Sequence, residues 1–291
     1  MHAENPYQAP YDFTKYTEVY APLKNYIVLN TSGQETIDFS DSNAVYALNK
    51  AILLTDYKLQ DYILPKGYLI PPVPGRLDYL LYIKDFLSER FNLNIDRPLK
   101  GLDIGSGANS IYCLLGSEHF GWSMVGAESD VKAVEIAKEN IARTPALKNT
   151  IEIRLQENKQ FLFKNIVQPN EPFDFSICNP PFHSSQAEAL KGSYRKQRNL
   201  GNRTDHNTTL LNFEGQANEL WCKGGEALFI KRLIKESVGY KSQVKLFSSL
   251  VSKEESLPSI EKQLKKAKAI FTVLPMEIGH KVSRIVLWWF E

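Results

Sequence analysis

The chain has 291 residues, 43% of them hydrophobic, which is enough to bury the core of one large domain or two modest ones. Lysine plus arginine total 35 against 33 aspartate plus glutamate, so a net charge of +2 neither demands nor excludes a polyanionic partner, and any basic surface must come from local clustering. Three cysteines (Cys113, Cys178 and Cys222) cannot all pair and fit no metal-ligand spacing; with no secretory leader and no uncharged apolar span, a cytoplasmic protein without a membrane partner is expected.

From residue 1 to about 70 the sequence is polar, rich in tyrosine, and free of strand–helix alternation. One helix stands out. Ser40 or Asp41 can cap it, and Ala44, Val45, Leu48 and Ile52 supply an apolar stripe at helical spacing. This stretch is expected to be a helical or irregular extension, 1–70. The prolines of residues 70–75 then predict a stiff extended connector. A helix follows over residues 76–91, with Leu77, Leu80, Leu81 and Phe86 on its buried side.

From Lys100 the rhythm changes. Short apolar runs of strand character occur at 102–104, 124–127, 151–155, 173–178, 244–247, 270–273 and 285–290, with helical patterns at 131–141, 215–237 and 256–268. Such alternation predicts an α/β domain over 71–291, with a seven-stranded, mostly parallel sheet between helices. The last two runs are joined by a segment holding Pro275 and Gly279, which suits an antiparallel hairpin at the sheet edge. Ligands of such sheets bind outside the carboxyl ends of the strands.

The first of those ends carries Asp103-Ile-Gly105-Ser-Gly107. Its glycines allow the backbone to pass close beneath a ligand. A dinucleotide fingerprint would want a third glycine at Ser110 and a surface suited to pyrophosphate. Here Asp103 places a carboxylate that repels phosphate and attracts an ammonium, so a cationic amino-acid cofactor fits better. Glu128 ends the next strand 21 residues beyond Gly107, near the interval at which an acid meets a ribose hydroxyl pair. It could also be an ordinary surface acid at the start of the helix near Asp130.

The strand 173–178 runs directly into Asn179-Pro180-Pro181-Phe182. An aromatic amine is a poor nucleophile because its lone pair is delocalised, and it must become more tetrahedral to attack a methyl sulfonium. Two acceptors below the amine plane favour that shape: the Asn179 side-chain oxygen, and the Pro180 carbonyl oriented by the proline after it. Phe182 offers a face for base stacking. A plain strand-ending turn would use the same Asn-Pro dipeptide, but this one ends a late strand of the sheet, where the cofactor's methyl should point.

The polar segment 183–212 is too long for an ordinary connection and reads as a functional or mobile loop. Lys191, Arg195, Lys196, Arg198 and Arg203, with Tyr194 among them, form a plausible phosphate-binding surface, though charge runs are usually just solvated. His183 is read as structural. A target base must leave its stack to reach Asn179.

Asp103-x-Gly105-x-Gly107, Glu128 and the Asn179–Phe182 tetrapeptide resemble the S-adenosylmethionine amino-methyltransferases. The blocks 71–76, 103–112, 179–183, 196–201 and 220–226 are similar, more narrowly, to bacterial large-subunit ribosomal RNA methyltransferases F. The resemblance runs from about Asp38 to the C-terminus. It implies a Rossmann-like fold and N6-methylation of an adenine in 23S ribosomal RNA, free or in an assembly intermediate. S-adenosylmethionine would be the donor and S-adenosylhomocysteine the product; a monomer is expected, with the extension 1–70 as a cofactor cover or an RNA contact. It also implies that Arg76 reaches the cofactor carboxylate and that Asn158 lies near the cofactor adenine. The rival readings are a protein glutamine methyltransferase, a DNA adenine-N6 methyltransferase, and an RNA-binding protein without turnover.

Overall fold

The computed structural model describes residues 1–95, 97–181, 224–278 and 281–291. The expected first helix is α2 (Ser42–Asp56), capped by the Asp41 carboxylate, which accepts from the Asn43 N–H. Before it lie α1 (Phe13–Val19) and a short antiparallel hairpin of β1 (Ile27–Leu29) and β2 (Glu35–Ile37). The sequence had not announced either. Helix α3 (Val73–Phe91) begins inside the stretch read as an extended connector, with Pro72 as its N-cap and Pro74 in its first turn. A proline costs little there, because the first N–H groups of a helix have no partner in any case.

The remaining elements alternate as expected: β3 (Lys100–Ile104), α4 (Ile111–Phe120), β4 (Ser123–Glu128), α5 (Val131–Arg143), β5 (Ile151–Leu155) and β6 (Phe173–Cys178). After the undescribed residues come α6 (Gly225–Ser237), β7 (Val244–Val251), α7 (Leu257–Lys266), β8 (Ile270–Ile278) and β9 (Lys281–Trp289). The seven longer strands form one Rossmann-like sheet in the order β5-β4-β3-β6-β7-β9-β8. Strands β3 to β7 are parallel, while β9 runs antiparallel to both β7 and β8. Pro275 does not sit in the hairpin turn. It lies inside β8, opposite Arg284, where an edge strand tolerates the missing N–H because that side of the ladder is open.

Leu102 and Ile104 face a core shared with α6 and α7, while Leu77, Leu80, Cys113 and Leu114 belong to the core on the opposite face. Phe13, Tyr16, Leu48 and Ile52 belong to that second core as well, so residues from the first 70 pack into the same apolar mass as α3 and α4. Gly101 makes room for the ring of its cross-strand neighbour in β6: a Cβ there would fall 2.3 Å from Phe175. Among the described residues no helix is long and apolar enough to cross a membrane.

The first turn of α6 is fixed by one carboxylate. Glu226, 2% exposed, accepts from the Ser252 N–H and hydroxyl (both 2.6 Å), from the Lys253 N–H at 3.2 Å, and from the Ser256 hydroxyl at 3.1 Å. It fastens α6 to the segment that leaves β7. Removing it would orphan those donors in a buried place. Glu226→Ala is expected to lower the unfolding free energy by roughly 3 kcal/mol, read from the midpoint of a urea transition.

Candidate active site

The turn between β3 and α4 is held by backbone. Gly105 and Gly107 have φ of +79° and +63°, values an L side chain adopts only with strain. The N–H groups of Gly105 and Ser106 both donate to the Ala127 carbonyl, at 2.8 and 3.0 Å, which ties the turn to the end of β4. A Cβ on Gly105 would meet no atom within 4 Å. Conformation therefore calls for glycine there, and the space above it is open.

Glu128 closes the turn from the next strand. One carboxylate oxygen accepts from the Gly107 N–H at 3.0 Å, and the other accepts from the N–H groups of Ser129 and Asp130 at 2.6 and 2.9 Å. The cap of α5 is Asp130, which accepts from the Ala133 N–H at 3.1 Å. Glu128 is thus a brace across the turn and lines the space beside it, rather than an ordinary surface acid.

Asp103 is placed differently from the expectation of a strand-end carboxylate open to a ligand. It is 1% exposed and lies off the lining of the cavity beside the turn. One of its oxygens has no hydrogen-bond partner, and the other is 4.0 Å from the Cys113 sulfur. Burial pushes its pKa up to about 8; Glu128 adds to the rise, and the Arg76 guanidinium opposes it.

Arg76 comes from the first turns of α3. Its Nη1 donates to the Tyr112 hydroxyl at 2.8 Å, the guanidinium lies 5.5 Å from the centre of that ring, and its Nε has no partner. Burial pushes the Tyr112 phenol up to about 12, with Arg76 pulling the other way. Just beyond β6, Asn179 has a buried Oδ1 with no partner among the described residues, Pro180 is buried, and Pro181 is half-buried.

One cavity of about 480 Å³ joins Arg76, Gly105, Gly107, Glu128, Asn179 and Pro181. Phe182 and the basic residues Lys191, Arg195, Lys196, Arg198 and Arg203 lie outside the described residues. Asn158 is exposed and does not line the cavity. Its Oδ1 accepts from the Gln160 N–H at 3.0 Å, and its own N–H donates to Gln156 Oε1 at 3.1 Å, so its side chain is spent on the loop's turn. Buried Gln156, with Phe161 and Phe229, lines a smaller recess of about 100 Å³ beyond Glu128.

Several lining residues escaped the sequence reading. Phe229 and Arg232 come from α6, and Arg232 donates to the carbonyls of Lys159 and Gln160 at 2.8 and 3.1 Å. Nothing in their local sequence distinguishes them from ordinary helix-surface residues. Tyr112 could have been found from its place at the start of α4, one helical turn beyond the glycines.

The whole chain, residues 1–291, matches a protein-family model described as RNA methyltransferase. It is 49% identical over its full length to the ribosomal RNA large subunit methyltransferase F of Christiangramia forsetii, all of which is covered. The corresponding protein of Flavobacterium johnsoniae is 45% identical, with the full chain covering 93% of it. Among solved structures, the catalytic domain of human METTL16 in complex with a MAT2A 3′UTR hairpin superposes with a TM-score of 0.81 at 29% identity, covering 100% of this chain and 97% of that one. The N-terminal domain of human METTL16 in complex with SAH gives a TM-score of 0.78 at 26% identity, covering 100% and 99%. The chain belongs to the RNA methyltransferase family that contains the ribosomal RNA large subunit methyltransferases F.

Proposed function

We propose that this protein methylates the exocyclic N6 of an adenine in 23S ribosomal RNA, using S-adenosylmethionine. The observation that carries the reading is one cavity lined by the glycine turn, Arg76 and Asn179, whose buried Oδ1 has no partner among the described residues. The full-length likeness to ribosomal RNA methyltransferases supports the substrate, and the SAH complex of a structural neighbour supports the donor.

The residues suit that donor. S-adenosylmethionine supplies, when bound, a methyl group on a sulfonium and leaves as S-adenosylhomocysteine. Arg76, with an unused Nε, offers a cation for an amino-acid carboxylate. Asp103 under the turn offers a counter-charge to an ammonium once it ionises. Gly105 leaves open the space that a Cβ would otherwise occupy, and Glu128 offers acceptors for hydroxyl groups.

Asn179 Oδ1 and the Pro180 carbonyl accept the two amine hydrogens and hold the nitrogen lone pair towards the methyl. The new bond is N–CH3, the broken one S–CH3, and the surplus proton leaves the nitrogen to water. No group of perturbed pKa has to act as a base. Phe182 supplies a stacking face, and the basic residues of 183–212 grip the phosphate backbone around an unstacked adenine. Protein glutamine and DNA adenine remain as outcomes of the test. Radiolabelled cofactor is incubated separately with unmodified 23S ribosomal RNA, DNA and release-factor protein, and the digests are resolved. Label in N6-methyladenosine from RNA is expected; label in glutamine or in DNA overturns the reading.

Three further outcomes are expected. Asn179→Ala should lower kcat by roughly 10²- to 10³-fold while cofactor affinity, measured by calorimetry, stays near that of the wild type. Neutralising Arg195, Lys196 and Arg198 together should flatten the slope of log affinity against log salt by roughly 2 to 3; an unchanged slope removes these residues from the phosphate contact.

The third concerns pH. In the unfolded chain the Asp103 carboxyl loses its proton near its ordinary value of 3.8, whereas in the fold it holds it up to about 8. Between those values the folded state binds the extra proton, so this group's contribution to stability falls as pH rises. Asp103→Asn, neutral throughout, should melt near the wild-type temperature at pH 4 and above it at pH 8, without cofactor. An equal melting difference at both pH values would show that Asp103 is not the titrating group.

A further inference from the structure

The carboxyl ends of β6 and β7 part company next to Asn179. β6 keeps its ladder with β3 as far as Ile104↔Cys178, but pairs with β7 only as far as Ser176↔Phe247. Beyond that point β7 runs on to Val251, held by β9 on its other side. Side chains fill the opening. Tyr79 of α3 and Ser248 of β7 are both fully buried, and their hydroxyl oxygens lie 2.8 Å apart.

The direction of the hydrogen bonds follows from counting protons. The Ser248 hydroxyl donates to the Ser176 carbonyl at 2.8 Å, so its one proton is used and it accepts from Tyr79. The phenol oxygen in turn accepts the backbone N–H of Cys178. A circuit therefore runs from Cys178 N–H through Tyr79 and Ser248 to the Ser176 carbonyl. It takes up the peptide groups on either side of Ile177 that β7 no longer pairs. Burial keeps the phenol protonated.

Asn179 follows Cys178 directly, and its Oδ1 has no partner among the described residues. Among the described residues no hydrogen bond restrains that acceptor, so its aim depends on the backbone that carries it. Tyr79 also meets Tyr112 edge-to-face, with ring centres 5.6 Å apart, and Tyr112 takes the Arg76 guanidinium. Helix α3 thus carries both the residue that braces the end of β6 and the cation of the cofactor side. We infer that Tyr79, acting through Ser248, is a positioning residue that fixes the end of β6 so that the Asn179 acceptor keeps one aim across the cavity. The inference rests on the reading of Asn179 as an amine acceptor.

The test uses the full chain with Tyr79→Phe, Ser248→Ala, the pair combined, and Asn179→Ala. Single-turnover methylation of unmodified 23S ribosomal RNA is measured at saturating radiolabelled S-adenosylmethionine, per cofactor-binding site counted by equilibrium binding. Tyr79→Phe and Ser248→Ala should each slow the transfer by roughly 10- to 100-fold, as small misplacements of a reacting group do. Cofactor and RNA dissociation constants should stay within about twofold. The combined variant should be no slower than the worse single one, because both break one circuit.

Transfer at wild-type speed in Tyr79→Phe overturns the inference, as does slowing that disappears once rates are counted per binding site, or slowing that multiplies in the combined variant. If Tyr79→Phe does not fold, Ser248→Ala carries the same comparison. An inert Asn179→Ala beside a fully active Tyr79→Phe removes only the positioning role, whereas a fully active Asn179→Ala removes the amine-acceptor reading itself.

Discussion

Between β3 and β6 the sheet changes its direction of winding, and that constraint organises everything else. From β3 the chain winds outward through β4 to β5; it then returns past β3 to β6 and β7 on the other side. The connections leaving β3 and β6 therefore turn to opposite sides, and the carboxyl ends of these neighbouring strands face an open crevice. The glycine turn and Asn179 sit on those two ends, which is why residues far apart in the chain share one cavity.

That crevice is lined or underlain by polar atoms that the protein leaves unsatisfied. Arg76 Nε, Asp103 Oδ1 and Asn179 Oδ1 all lack a hydrogen-bond partner among the described residues. Each such group costs stability when buried; Glu226 is met by four donors and Glu128 braces the glycine turn, although buried atoms away from the crevice, such as Thr55 Oγ1 and Asp78 Oδ2, also lack a partner among the described residues. Three orphans of complementary kinds, a guanidinium nitrogen, a carboxyl oxygen and an amide oxygen, thus lie in or beside one space. The raised pKa of Asp103 is the same economy seen electrostatically, since a carboxyl with no partner holds its proton.

The helical layer on one face does more than cover the sheet. Helix α3 supplies Arg76 to the cavity and Tyr79 to the end of β6; the two are three positions apart and so lie on adjoining parts of one face. Residues from the first 70 pack behind α3, and the buried Asp78 carboxylate accepts from the His2 N–H at 2.7 Å and the Asn5 amide at 2.8 Å. The extension buttresses the helix on which two of the site's side chains stand.

Much of the architecture was legible in the sequence, because strands β3 to β7 are short apolar runs separated by helical periodicity. The glycine turn, Glu128 and Asn179 could be picked out of the sequence as well, because each belongs to a local pattern, and the fold brings them to one cavity; Phe182 lies outside the described residues. What stayed hidden was set by contacts between distant segments. Local pattern is too weak to announce α1 and the β1–β2 hairpin, and Pro72 and Pro74 read as an extended connector although they start α3. Pro275 belongs to β8 only because that strand is the edge. The burial of Asp103, the idle position of Asn158 and the arrival of Phe229 and Arg232 at the cavity were decided by packing alone. Sequence determines which groups a chain possesses and its local periodicity; whether a carboxyl is dry, or a helix face meets a crevice, depends on neighbours that only the tertiary fold brings near.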